Sequence, residues 1–505
     1  MSNFNKSITN FVVIVFSLVI TSSIFIPPLF EPNLQKTLYP KLAFPFALFV
    51  FSSFVLGYQF LVRILNQNSF RIKDIFQKIA QPKFNFKVDK KILIISLTLS
   101  ISFFFLYLAV GRAMLANIEF TNTPKLDFFG ADVKDWTGLQ YDRDGYKPAH
   151  TNILFIVQPL QFLLSFIPLP KFVLAVILNS LFSAVNIFLA SILFWQITQR
   201  YLYTFLLTLF LGFTTSHLFF GSIPESYTLG SSSLITTYIL LCISLKNKKI
   251  NLALWLLAGI FSFGITITNF TDTMICFAIA SFYIHNRMSH KERLLMILQY
   301  AGAVISCSIF LSLIQNKLYG SDYFFMPNMV VYETKSFIRK INLFTHPLLV
   351  VQELFKHFFL VNFVAPYPSI IDSYIYPGIR QLTFFGVPLS YGYVGFMAAV
   401  LWGYVFITGT YKNVTLSLAR KDKAKIAFLS AVSLSILFEM IFHSMYGVVE
   451  MLIYTCYFTF LVMILFINNE TLRKPYFIIV LGILIGLMAI NNLSVLLSFQ
   501  GYSWL

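Results

Sequence analysis

Long apolar runs alternate with short polar connections along the whole chain, and most runs have the length of a membrane crossing. A helix needs about 20 predominantly apolar residues to cross a bilayer. Runs of that order lie at 11–30, 42–65, 92–115, 171–195, 201–220, 227–245, 250–268, 272–285, 294–315, 389–411, 426–444, 448–467 and 476–497. They predict about thirteen crossings. The run at 272–285 is short, so it either starts earlier or is a broken helix facing protein rather than lipid. Lys6 precedes the first run, which raises a signal peptide, but no small-x-small cleavage site follows and a retained anchor is expected. Residues 151–170 are also apolar. Counting them as a crossing would put the later basic loops on the wrong side, so they are read as a helix lying in, or re-entering, the outer interface.

Composition agrees with this reading. Of 505 residues, 57% are hydrophobic and 11% charged, against about 45–50% and about 25% in soluble domains. A cytosolic enzyme and a disordered chain are excluded. Cys242, Cys276, Cys307 and Cys456 all sit in apolar runs with no CxxC spacing, so neither a zinc site nor a disulfide framework is indicated. There is no internal repeat and no Rossmann-like stretch.

The net charge of +17 would suggest nucleic acid in a soluble protein. Here its distribution gives it another meaning. With the N-terminus inside, the inner connections carry 22 basic and 5 acidic residues, which accounts for the whole excess. The outer segments carry 13 of each and are neutral. The charge therefore sets topology by the positive-inside bias, and no nucleic-acid partner is expected. The expected fold is an all-α polytopic membrane protein with two long outer loops that contain juxtamembrane helices. The expected organisation is two N-terminal spans and an inner basic amphipathic loop (1–91), a core with an acidic outer loop at 116–170 (92–315), a second outer loop (316–388) and C-terminal spans (389–505).

Candidate chemistry lies in the outer segments. Asp132 and Asp135 are spaced to share one side of a helical turn, and a carboxylate at the membrane face can act as general base toward a hydroxyl. Asp142 and Asp144 form an Asp-x-Asp pair that could hold a divalent ion such as Mg or Mn. His150 closes this polar stretch. Glu225 lies in a short outer turn, Gly221-Ser222-Ile223-Pro224-Glu225-Ser226-Tyr227, where it is either a helix-dipole charge or a substrate contact. Asn269 and Asp272, in the next outer turn, admit the same two readings. The second loop carries Lys335, Arg339, Lys340, His346 and Arg380 among aromatics. Cations on the outer side oppose the positive-inside bias, and a phosphate leaving group would use them. His443, with Tyr446 and Glu450, sits at a late outer turn, where a polar group is costly unless it faces a cavity or a partner.

This layout resembles the GT-C type integral-membrane glycosyltransferases that use polyprenyl-phosphate sugars. The likeness rests on the many spans, the acidic pair Asp132 and Asp135 in a long first outer loop, and Pro159-Leu160 in the apolar segment after it. It also rests on Pro224-Glu225-Ser226-Tyr227-Thr228-Leu229, Gly264-Ile265-Thr266-Ile267-Thr268-Asn269 and His443-Ser444-Met445-Tyr446-Gly447. Members usually have His or Pro before the Pro-Leu, where this chain has Gln158. The resemblance implies a multi-pass plasma-membrane enzyme with an outward-facing site. It would pass a sugar from a polyprenyl-phosphate donor to a glycan, lipid or protein acceptor. It places the catalytic acid at Asp132 or Asp135, with basic residues of 316–388 on the donor phosphate. Two other readings stay open: an O-antigen polymerase- or ligase-like enzyme that relies on Arg and His, and a lipid or sugar transporter.

Overall fold

The computed structural model describes residues 15, 17–18, 39–67, 89–115, 126–129, 150–321, 323–325, 341–372, 378, 380–468, 470 and 474–498. Their elements in chain order are α1 (Tyr39–Gln67), α2 (Lys90–Leu115), β1 (Leu126–Phe128), α3 (Leu154–Leu164), α4 (Lys171–Thr198), α5 (Tyr201–Gly212) and α6 (Thr215–Ser222). Next come α7 (Tyr227–Asn247), α8 (Leu252–Ile265), α9 (Asn269–Ile284), α10 (His290–Tyr319) and α11 (Pro347–Lys356), which runs into a π-helical turn (His357–Val361). β2 (Ser369–Asp372) and β3 (Arg380–Thr383) precede α12 (Tyr393–Ala419), α13 (Lys423–His443), a 3₁₀ turn (Val448–Glu450), α14 (Met451–Phe466) and α15 (Pro475–Ser498). The protein is thus a multi-pass, nearly all-helical membrane protein. Among the described residues, nine helices are long and apolar enough to cross a bilayer: α1, α2, α4, α7, α10, α12, α13, α14 and α15.

The remaining predicted crossings differ in form. The run 201–220 forms two helices, α5 and α6, bent by 64°. The runs 250–268 and 272–285 form the shorter helices α8 and α9, broken at Thr266–Thr268. At about 1.5 Å per residue neither reaches the ~30 Å of a hydrocarbon core alone. The run 11–30 lies almost wholly outside the described residues, as does the basic segment 68–88.

The chain divides into two compact units. The first comprises Met1–Phe86, Tyr146–Phe155 and Ile243–Phe337. In it α1 packs along α10 by a close small-residue crossing. A side chain at Gly302 would lie 2.6 Å from Leu56 Cβ and 3.0 Å from the Ser53 carbonyl, so only glycine allows this approach. Gln299 donates to Gln59 across the same seam at 2.7 Å. Trp255, Phe277 and Tyr300 fill the space between α8, α9 and α10, with Phe277 stacked on Tyr300 at 4.1 Å.

The second unit comprises Lys87–Gly145, Ile156–Cys242 and Ile338–Leu505. Its innermost helix is α14, whose residues are buried on every side, as a helix apolar all round requires. The bend between α5 and α6 is closed from outside its own sequence. Asn492 Nδ2 of α15 donates to the Phe213 and Phe363 carbonyls at 2.8 Å each, and its Oδ1 accepts from the Ala365 amide at 2.8 Å. Asn362 Oδ1 accepts from Ser216 at 2.6 Å and from Thr459 at 2.8 Å. Residues 361–365 are therefore fully buried beside the bend, although they belong to the second long loop. Irregular backbone at such depth is tolerated only when protein groups satisfy it, and these asparagines do so. The apolar side chains Phe162, Leu163, Phe166 and Leu169, in and after α3, stay exposed, as do Phe344, Leu348 and Phe355 in and before α11. Both long loops thus carry helices with outward apolar strips suited to an acyl-chain boundary.

Candidate functional site

The acidic and basic loops meet in a small sheet of the second unit. β3 is its central strand, parallel to β1 and antiparallel to β2. Leu126 pairs with Arg380 and Asp127 with Gln381, and the Phe129 amide donates to the Leu382 carbonyl at 3.1 Å. On the other side Asp372 is the register partner of Arg380, and both are exposed. Opposite charges directly across strands favour the pairing modestly. Phe129, Leu382, Phe384 and Phe385 are buried beneath the sheet. Asp132 and Asp135 follow soon after β1 in sequence. They lie outside the described residues, as do Asp142, Asp144, Lys335, Arg339 and Lys340.

Glu225 is fixed at the turn between α6 and α7. Its amide donates to Asn179 Oδ1 at 3.4 Å, and its Oε2 accepts from the Ser226 amide at 3.0 Å. Asn179 Nδ2 in turn donates to the carbonyls of Phe220 and Gly221 at 2.9 and 3.1 Å, which closes the end of α6. The carboxylate thus precedes the first turn of α7, where the helix dipole favours negative charge. Glu225 is buried, together with Asn179 and Ser226.

His443 ends α13 inside a buried polar group. Its Nε2 lies 3.1 Å from Glu439 Oε2, one helical turn earlier, and its Nδ1 lies 3.2 Å from the Tyr446 carbonyl. The ring stacks on Tyr454 at 4.2 Å, and the Tyr454 hydroxyl donates to Glu450 at 3.2 Å. Gly447 makes the turn that allows this. Its φ is +62°, and a Cβ there would lie 2.5 Å from the Tyr454 ring. The second loop reaches the same place, because the Leu343 amide donates to the Ser444 carbonyl at 2.9 Å.

These three sites are joined by aromatic rings. Phe384 meets Phe129 at 4.7 Å, and Phe129 meets Phe219 at 5.0 Å. Phe219 meets Phe220 at 4.9 Å, which meets Tyr227 at 5.2 Å. Tyr227 then approaches Tyr454, the ring under His443, at 6.3 Å. A run of aromatic rings within the second unit therefore links the surroundings of Arg380, Glu225 and His443.

The other expected residues have simpler roles. His346 precedes α11, is exposed, and contacts Thr345 Oγ1 at 3.1 Å. His150 lies in the first unit, where its Nδ1 faces the Ile265 carbonyl at 2.6 Å. Asp272 is buried in the first turn of α9, the position the dipole favours. Lys356 and His357, basic residue types of the second loop, are structural. Lys356 Nζ contacts Glu353 at 2.7 Å and donates to the Phe384 and Val387 carbonyls at 2.6 and 3.1 Å. It thereby holds the end of the sheet against α11. Burial raises the Glu353 carboxyl above its ordinary value, with Lys356 and the Gly386 amide acting the other way. Burial lowers the His357 imidazole to about 3, with Lys356 adding to the effect. It is neutral at pH 7, and its Nδ1–H donates to the Glu353 carbonyl at 2.9 Å.

Sequence reading missed Asn179, Asn362 and Glu353 as organising residues. Only Glu353 carried a local signal, its i, i+3 spacing to Lys356. Chemically these three places offer buried carboxylates, a buried imidazole and an exposed guanidinium. Among the described residues no three His, Cys, Asp or Glu side chains form a group that could hold a metal ion. The Asp142 and Asp144 pair lies outside that set. No family model matches the chain, and no curated protein matches it by sequence.

Proposed function

We propose that this protein is a GT-C-like membrane glycosyltransferase acting on a polyprenyl-phosphate-linked sugar at the outer face of the plasma membrane. In this reading the chain crosses about thirteen times with the N-terminus inside. The observation that carries it is the pairing of β1 with β3. Acids dominate the first outer loop and bases the second, and the sheet draws the two loops to one place. The sidedness also has support within the second unit. Tyr201 bonds Asp89 and Arg420 pairs with Glu470, each joining two segments assigned inside. The Leu343–Ser444 bond and the β1–β3 pair each join two segments assigned outside.

The reaction is an inverting displacement. The acceptor hydroxyl oxygen attacks the anomeric carbon, and the bond from that carbon to the phosphate oxygen breaks. Asp132 or Asp135 takes the hydroxyl proton. The polyprenyl phosphate leaves with its charge offset by outer cations, Arg380 among them, or by a divalent ion. General-base removal is worth about 10²–10⁴-fold in rate.

The test is sugar transfer in membranes supplied with a radiolabelled polyprenyl-phosphate donor. Asp132→Asn and Asp135→Asn together are expected to lower transfer at least ~100-fold without reducing protein in the membrane. Unchanged transfer would sink the proposal. Loss on changing Arg339, Arg380 and His346, with both aspartates dispensable, would favour the polymerase- or ligase-like reading.

A further inference from the structure

A small half-open recess lies between α3, α4 and the turn before α7, lined by Gln161, Ala175, Leu178, Asn179, Phe182, Pro224 and Glu225. Its free space is of the order of one water molecule. Four of its walls are apolar. The polar ones are unusual, because Gln161 is only 5% exposed and neither its Oε1 nor its Nε2 has a hydrogen-bond partner among the described residues. A buried amide left unpaired is costly, and so a vacant donor and acceptor at such a place suggest a visiting group. Asn179 cannot serve, since its amide is already committed to the Phe220 and Gly221 carbonyls and the Glu225 amide. Glu225 also lines the recess, and its carboxylate supplies a second acceptor.

Next to Gln161 on α3, Phe162 and Leu163 are 64% and 61% exposed, and Phe166 follows at 71%. An exposed apolar strip of this kind belongs against acyl chains. A polar recess beside it is approached most readily by the head of an amphiphile whose tail stays in the lipid.

We propose that this recess binds a hydroxyl of a membrane-borne amphiphile, seated between the Gln161 amide and the Glu225 carboxylate. A hydroxyl is both donor and acceptor. It can give its proton to Glu225 and accept from Gln161 Nε2 at once, and it fits the space. A quaternary ammonium has no proton to give and leaves Nε2 unpaired. That the natural occupant is a sugar of the transferred donor or acceptor rests on the transfer reading. The binding itself does not.

The experiment uses the full chain in phosphatidylcholine nanodiscs and three probes: octyl β-glucoside, 1-O-octylglycerol and octyltrimethylammonium. The wild type is expected to bind the glucoside. Gln161→Leu is expected to weaken that binding at least ~10-fold while leaving Tm unchanged or higher, since it removes an unpaired buried amide. Ala175→Val, which adds bulk to the lining of the recess, is expected to weaken binding likewise. A preference for the glucoside over octylglycerol identifies the head as a sugar, and equal binding identifies any hydroxyl head. Glucoside binding unchanged in both variants would show that the recess holds only water and overturn the proposal. So would displacement of the glucoside by octyltrimethylammonium, or a lower Tm in Gln161→Leu. Glucoside binding without any sugar transfer from a prenyl-phosphate donor would instead count against the transfer reading and leave this site standing.

Discussion

Asn492→Leu is expected to lower the apparent Tm of the protein in nanodiscs by about 3–5 °C. The side chain is of similar size but cannot hydrogen-bond. Asn492 serves the carbonyls of Phe213 and Phe363 and the Ala365 amide, and its Oδ1 also accepts from Asn491. Each buried polar group left without a partner costs about 1–3 kcal/mol. Several such groups together make about 3–5 kcal/mol, out of a typical total of about 5–15 kcal/mol. At roughly 1 °C per kcal/mol for a chain of this length the shift is still readable. The loss falls where α5 bends into α6, and so the polypeptide is also expected to become cleavable near 213–214 and 361–365. Ile490→Ala is the control. Ile490 is 62% exposed on the same helix, and its removal should change Tm little. A variant Asn492→Leu as stable as wild type would mean that the bend is held by something other than this asparagine.

Leu382→Pro is expected to abolish transfer, at least ~100-fold, with the helical core retained. Leu382 is fully buried at the middle of β3, paired with Phe128 on one side and Ile370 on the other. Proline has no amide hydrogen and does not fit a central strand. The sheet has strands of only three or four residues, so one such change separates the first loop from the second. A misplacement of about 1 Å between reacting groups can cost ~100-fold. Helix content by circular dichroism should stay near wild type, because none of the long helices depends on the strand. Full activity in this variant would show that the two loops act separately.

The spans were largely legible in the sequence, because a run of about 20 apolar residues leaves few alternatives to a crossing. Nine predicted runs correspond to long helices in the described residues. The bend at 213–214 was not legible. No proline marks it, and the groups that satisfy its backbone come from Asn362 and Asn492, far away in sequence. The burial of 361–365 was hidden for a related reason. The apolar stretch before it is too short for a crossing, so by its sequence it belongs to an outer loop. Most important, the contact between the acidic and basic loops had no sequence signal at all. β1 and β3 are short, and some 250 residues separate them. Composition showed that acids and bases were apart along the chain, and folding brings those segments together.

Within the candidate site the pattern is the same. The Glu439–His443 pair follows from i, i+4 spacing on one helix, and Glu225 was visible as a lone acid in a short turn. The aromatic path from Phe384 to Tyr454 could not be read, because rings are so frequent in this chain that their spacing selects none of them. The use of Lys356 as a structural clamp depends on carbonyls 28 and 31 positions away.

The central claim is that one outward site, built from both loops, receives a lipid-linked sugar phosphate. The most direct measurement is photoaffinity labelling of the full chain in nanodiscs with a polyprenyl-phosphate sugar that carries a diazirine on the isoprene next to the phosphate. Labelled peptides are expected from both the 126–135 and the 376–387 segments, and unlabelled polyprenyl-phosphate sugar should suppress them. Label confined to the lipid-facing helices, or label in the two segments that excess donor does not displace, would contradict the account.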